Sequence, residues 1–170
     1  MAGAMKSLAC WLILFLAVAS AEDAGWKTYT NARFGFSVQI PTELQGSREP
    51  DNGGGREFHT KNGEFSIVAG GHFLAVADEN ESLETRWNDE LKELGKTITY
   101  KKKAATWYVV SGVDAKGIEY YRKFHVQGKN WAEIRITYPH AQNAKYDPWV
   151  EKISKSFVPF LKGEFDRIEK

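Results

Sequence analysis

Residues 97 to 138 hold four runs in which apolar and polar side chains alternate, at 97–103, 106–113, 117–126 and 130–138, and only short turns separate them. A period of two sends alternate side chains to opposite flanks of an extended strand. Turns this short cannot carry the chain over a sheet to start a parallel neighbour, so consecutive strands must run antiparallel. A four-stranded antiparallel meander is therefore fixed before any other element is considered.

The segments before it read in the same way. "WKTYT" (26–30) and "FGFSVQIP" (34–41) alternate around the turn "NAR", and Pro41 closes the hairpin they form. A loop rich in Pro, Gly and Asn follows from 42 to 55. "REFHT" and "EFSIVAG" then flank Lys61-Asn62-Gly63, and Asn-Gly predicts a two-residue type I′ turn in which both residues take positive φ. That turn would set Lys61 opposite Glu64 and His59 opposite Ser66. "ESLETRWNDELKELG" (81–95) predicts a helix with Leu83, Trp87, Leu91 and Leu94 on one stripe, Asn80 or Ser82 as N-cap and Gly95 as C-cap. A second helix is expected after the meander, capped by Asp147, with Pro148 at its first position and Trp149, Val150, Ile153 and Phe157 facing inward. Strands, helix, four strands, helix is an α+β plan: an antiparallel sheet with helices packed on its faces.

"YTNARFGFSVQIP", "NGGGREF" followed by "NGEFSIVAGG", "ESLETRW", "WYVVSG" and "YDPWVEKISKSF" resemble small exported bacterial proteins of the PsbP-like αβα-sandwich fold. The likeness runs along nearly the whole chain after residue 21. It implies that fold, and it brings no catalytic residues. The photosystem II extrinsic protein that names the fold is an accessory protein bound to its partner's surface, so the resemblance implies a binding role by analogy of fold.

Met1 to Lys6, an apolar stretch from Ser7 to Val18, and Ala19-Ser20-Ala21 have the three parts of a cleaved signal peptide. The apolar run is shorter than the roughly 20 residues of a membrane span. The expectation is a signal peptide at 1–21, a single α+β domain at 22–170, a periplasmic or secreted location and no membrane insertion after cleavage. Cys10, the one cysteine, would leave with the signal, so no disulfide or thiolate chemistry is expected. Losing Lys6 takes Lys+Arg from 23 to 22 against 22 Asp+Glu. A balanced charge argues against nucleic acid as a partner.

Gly53-Gly54-Gly55 raises the question of a phosphate loop. Such loops open a helix and usually end in Lys and Ser or Thr, whereas here Arg56-Glu57-Phe58-His59 continues as a strand. A chain reversal with positive φ at successive positions explains the glycines better. His59, His72, His125 and His140 are scattered without the close spacing of zinc ligands. No cofactor, metal or catalytic residue is assigned. Lys101-Lys102-Lys103 beside Tyr100, Trp107 and Tyr108 reads as a strand end protected against edge pairing.

One constellation comes from register. Joining 117–126 to 130–138 through Gln127-Gly128-Lys129 pairs Tyr120 with Ile136 and Phe124 with Ala132 on a mostly apolar face. The other face then carries His125 beside Trp131, Lys123 beside Glu133 and Tyr121 beside Arg135. Shifting by one residue would mix apolar and charged residues on both faces, which disfavours it. Tyr121, Lys123, His125, Trp131, Glu133 and Arg135 thus form a candidate strip for an unknown exported protein or small ligand, open to solvent or covered by the N-terminal hairpin. Three functions follow: an exported non-enzymatic binding or accessory protein using one sheet face or a rim groove, a hydrolase with His59 or His125 as general base, and a structural subunit of an envelope assembly.

Overall fold

The computed structural model describes residues 24–73 and 81–161; the segment 1–21 expected to be a signal peptide lies outside them. Among the described residues nine strands and two α-helices follow in order: β1 (Trp26–Asn31), β2 (Phe36–Pro41), β3 (Gln45–Gly46), β4 (Gly55–His59), β5 (Ser66–Phe73), α1 (Leu83–Leu94), β6 (Ile98–Lys103), β7 (Trp107–Val113), β8 (Ile118–Gln127), β9 (Asn130–Pro139) and α2 (Asn143–Ser156). β1 and β2 form a separate antiparallel hairpin. The other seven strands make one antiparallel sheet in the order β3-β4-β5-β9-β8-β7-β6.

This order joins two meanders through the β5–β9 pair and fixes what lies on each face. On one face, called A, the hairpin and α2 bury Phe36, Val38, Ile40, Tyr146 and Ile153 against Phe58, Ile67, Ile134 and Ile136. On the opposite face, B, α1 lays Leu83, Trp87 and Leu94 over Tyr108, Val110, Phe124 and Trp131. The result is an αβα sandwich in which the two helical layers are offset along the sheet. Each fully buried Phe or Ile in the A layer contributes about 1.5–3 kcal/mol relative to exposure.

Local chemistry explains the ends of α1. Ser82 accepts from the Thr85 amide at 3.1 Å and Thr85 Oγ1 accepts from the Ser82 amide at 2.8 Å, a reciprocal capping box. Gly95, with φ of 51°, ends the helix. The buried stripe differs from the expected one in a single respect. Leu83, Trp87 and Leu94 face the sheet, but Glu90 is the buried residue of the helix, and Leu91 is not part of the cluster.

Three further expectations are corrected. The β4–β5 register is as expected, with His59 opposite Ser66. Its turn, however, is wider, closed by Thr60 and Phe65, and only Gly63 has positive φ; Asn62 keeps a negative one and accepts from the Glu64 amide instead. α2 begins at Asn143, so Asp147 and Pro148 lie inside it. Burial of Tyr146 against Phe65, Tyr138 and Trp149 draws the preceding turn into the helix, and Asp147 accepts from the Tyr138 hydroxyl at 2.8 Å. Pro148 leaves the Ala144 carbonyl without an N–H donor and crowds it, a cost that the buried Tyr146, Val150 and Ile153 offset.

The largest correction is the β8–β9 register. The strands pair Phe124 with Glu133, Arg122 with Arg135, Tyr121 with Ile136 and His125 with Ala132, one residue away from the expected pairing. The turn decides it. Gln127 pairs with Asn130 around Gly128-Lys129, and positive φ occurs at Gly128 (57°) but not at Lys129, the pattern of a type II′ turn with glycine first. Segregating the polar residues would have required a face left to water. Both faces of β8 and β9 are covered in part by helices, and charged residues on each find partners there.

Candidate functional site

The six residues of the expected strip divide between the two faces. Trp131, Glu133 and Arg135 lie on face B, beneath or beside α1. Trp131 is 7% exposed, with the Arg86 guanidinium 4.0 Å over its ring and His72 stacked at 4.7 Å. Glu133 pairs with Arg135 at 3.0 Å and with Arg86 at 3.8 Å. Glu90 of α1 meets Arg122, which also holds Glu93 at 3.0 Å, and Arg135 at 4.0 Å. These residues fasten a helix to the sheet.

Tyr121, Lys123 and His125 lie on face A, where the offset of α2 leaves β6, β7 and the near side of β8 uncovered. Strand pairing sets their neighbours in rows across three strands: Tyr100, Ser111 and Tyr121; Lys102, Val109 and Lys123; then Trp107 and His125. A shallow cavity of about 270 Å³ is lined by all of these except Ser111. Val109, 6% exposed, is its floor. Tyr100 is 52% exposed at its rim. Two ammonium groups, three large rings and an imidazole face it, and among the described residues no carboxylate does.

The inner side of the groove is fixed by α2. The Tyr121 hydroxyl and Ser154 Oγ are 2.6 Å apart, and Lys123 Nζ donates to the Ser154 carbonyl at 2.9 Å, a cation near the helix's carboxyl end where the dipole favours it. Burial holds the Lys123 ammonium below the usual lysine range and the Tyr121 hydroxyl above the usual phenol range. His125 stacks beside Trp107 at 6.1 Å and meets Phe157 edge-on at 5.8 Å. Burial first, then the Lys123 charge, pushes its pKa down to about 4. The imidazole is therefore neutral at physiological pH, and its buried Nε2 has no hydrogen-bond partner among the described residues. On the outer side Lys102 Nζ lies 5.7 Å over the Trp107 ring.

Tyr100, Lys102 and Trp107 were not part of the expected strip. Alternation along β6 already placed Tyr100 and Lys102 on one flank, but their membership depends on which half of face A the second helix leaves bare.

Other concavities offer less chemistry. A broad trough of about 770 Å³ between the hairpin and α2 has charges engaged with their neighbours: Lys155 with Glu151 at 2.5 Å, and Lys152 over Trp26. A cleft of about 280 Å³ on face B runs beside Gly54, Gly55, Val68, Gly70 and His72. The glycine loop there is not a phosphate cradle. The Gly53 amide donates to the Pro50 carbonyl and the Gly54 amide to Asn52 Oδ1. Positive φ occurs at Gly53 and Gly55 but not at Gly54, so it is not successive. A Cβ on Gly55 would lie 2.2 Å from the Ala69 carbonyl oxygen, which is why the position is glycine.

The other histidines stand apart. His59 Nδ1 is 3.0 Å from the Thr60 carbonyl and His140 Nδ1 is 2.6 Å from Glu119, while His72 stacks on Trp131. Among the described residues no group of three or more His, Cys, Asp or Glu could hold a metal ion, and no helix is long and apolar enough to cross a membrane.

The chain has the PsbP-like αβα-sandwich fold. It is similar to the cyanobacterial PsbP protein of Synechocystis, with a TM-score of 0.57 and 7% identity over 83% of this chain and 96% of that one. A protein from Bacteroides thetaiotaomicron is similar with a TM-score of 0.52 and 14% identity; 82% of this chain aligns with 50% of that one, so the chain spans about half its length. Identities this low establish the fold alone. No family model matches the sequence, and no curated protein does.

Proposed function

We propose that this chain is an exported, non-enzymatic binding or accessory protein and that its working surface is the uncovered half of face A. One observation carries the reading: Tyr100, Trp107 and Tyr121 converge with Lys102 and Lys123 on a concave floor without a carboxylate among them. Tyr and Trp are the residue types enriched where proteins bind partners, and the two lysine charges at their edges favour an occupant of complementary charge. Hydrolysis by His125 is disfavoured because a base whose pKa is about 4 accepts protons poorly near neutrality, and among the described residues no acid lines the groove with it. The signal-like first 21 residues support a periplasmic or secreted location, and the resemblance to an accessory-protein fold agrees with it.

A photo-crosslinking amino acid at Tyr100, compared with one at Thr28 on the distant hairpin, tests the reading in the native compartment. The expected result is a discrete adduct from position 100 that position 28 does not give, and that weakens when Lys102 is replaced by Gln. Equal labelling from both positions would remove the groove from consideration.

A further inference from the structure

We infer that the face A groove holds a small aromatic carboxylate, with its ring against Tyr100 and Trp107 and its acid group between Lys102 and Lys123. This rests on the reading of the groove as the binding surface and adds the chemistry of the occupant.

The charge pattern comes first. Lys102 and Lys123 flank Val109 in one row across β6, β7 and β8. Strands about 4.8 Å apart set the two lysine backbones only about 10 Å from each other. Among the described residues the lining supplies no acid to offset them. Lys123 donates to the Ser154 carbonyl at 2.9 Å and to Ser154 Oγ at 3.5 Å, and an ammonium has three donors, so one N–H remains for an anion. Its partial burial makes that anion worth more than at an open surface.

Size and rings narrow the class. A cavity of about 270 Å³ falls at the small end of ligand sites, which run from about 300 to 1,000 Å³. The rows above and below the lysines are aromatic: Tyr100 and Tyr121 on one side, Trp107 and His125 on the other. A planar apolar body between them buries ring faces, and one acid group reaches the lysine row. The neutral imidazole of His125 adds a further ring to the same wall. An extended acidic peptide would need cations spaced along a track, whereas here they share a single row. A nucleic-acid strand would need the same track and meets a chain of balanced charge.

The test uses the full-length protein, with indole-3-acetate as the probe and NMR of the Trp107 indole N–H as the readout. Indole-3-acetamide removes the charge and acetate removes the ring. Indole-3-acetate is expected to shift the Trp107 signal and to bind at least about tenfold tighter than either control. Lys102→Gln, at an exposed residue that leaves the fold intact, should weaken it by about tenfold, and Trp107→Leu, which lacks the reporter and is followed by isothermal titration calorimetry instead, should do the same, with circular dichroism confirming that both variants fold. Equal binding of the acetamide, or of acetate, overturns the proposal. Tighter binding of a glutamate-rich peptide also overturns it and assigns the groove to a protein segment. If no ring-bearing acid binds while crosslinking from Tyr100 still yields its adduct, the ligand class falls and the surface stands; if neither occurs, both fall.

Discussion

Glu90 is the residue on which the α1 layer depends most sharply. Its side chain is 8% exposed and meets Arg122, 20% exposed, with Arg135 at 4.0 Å and the Tyr108 hydroxyl at 3.5 Å. Breaking a fully buried ion pair by removing one partner costs about 3–5 kcal/mol, while exposed pairs are worth about 0.2–1. Glu90→Gln falls between these limits, because Arg122 keeps Glu93 at 3.0 Å and Arg135 keeps Glu133 at 3.0 Å. The expected loss is about 2 kcal/mol, or a fall of roughly 6 °C in Tm for a domain near this length. A double-mutant cycle of Glu90→Gln and Arg122→Met, followed by urea unfolding, isolates the pair. A coupling of about 1.5 kcal/mol or more that persists in high salt is expected, since partly buried pairs are weakly screened. Additivity within about 0.5 kcal/mol would refute the view that this carboxylate anchors the helix.

Glycine substitutions should divide by the space above them. Gly112→Ala would put a Cβ 2.0 Å from the Thr97 carbonyl oxygen and 2.5 Å from the Tyr120 hydroxyl, so a loss above about 4 kcal/mol is expected, read as absent cooperative unfolding. Gly63→Ala meets nothing within 4 Å and suffers only from its φ of +72°, costing about 1–2 kcal/mol in the same assay. His125 should make the protein acid-sensitive. With a folded pKa near 4 against 6.5, the unfolded chain takes up this proton first, so stability present above pH 6.5 is lost as pH falls toward 4. After allowance for its part-open position the loss is about 1–2 kcal/mol, and His125→Gln should flatten the difference between pH 7 and pH 5; an unchanged slope would refute the assignment.

Local chemistry was legible where it acts alone. Ser82 and Gly95 bound α1 as their side-chain chemistry demands, and Asn62-Gly63 set the β4–β5 register even though the turn took another form. The β8–β9 register was not legible from polarity, because the rule of separated faces presumes one wet face. Arg122 and Glu133 lie among apolar residues here since α1 brings Glu90, Glu93 and Arg86 to meet them. A slip of one residue sends every side chain of β9 to the other face. It therefore removed Trp131, Glu133 and Arg135 from the candidate surface and left Tyr121, Lys123 and His125. Their companions Tyr100, Lys102 and Trp107 depend on the reach of α2, a property of packing that no strand pattern records.

The offset of the two helices has a consequence for how such a protein can diversify. Along β6 and β7 the residues that meet water on face A alternate with those held beneath α1, so neighbouring positions answer to different constraints. Exchanging Tyr100, Lys102 or Trp107 can reshape the groove while Tyr108 and Val110 go on maintaining the scaffold. A lineage carrying this architecture could therefore remodel that surface through a handful of outward substitutions without first becoming more robust.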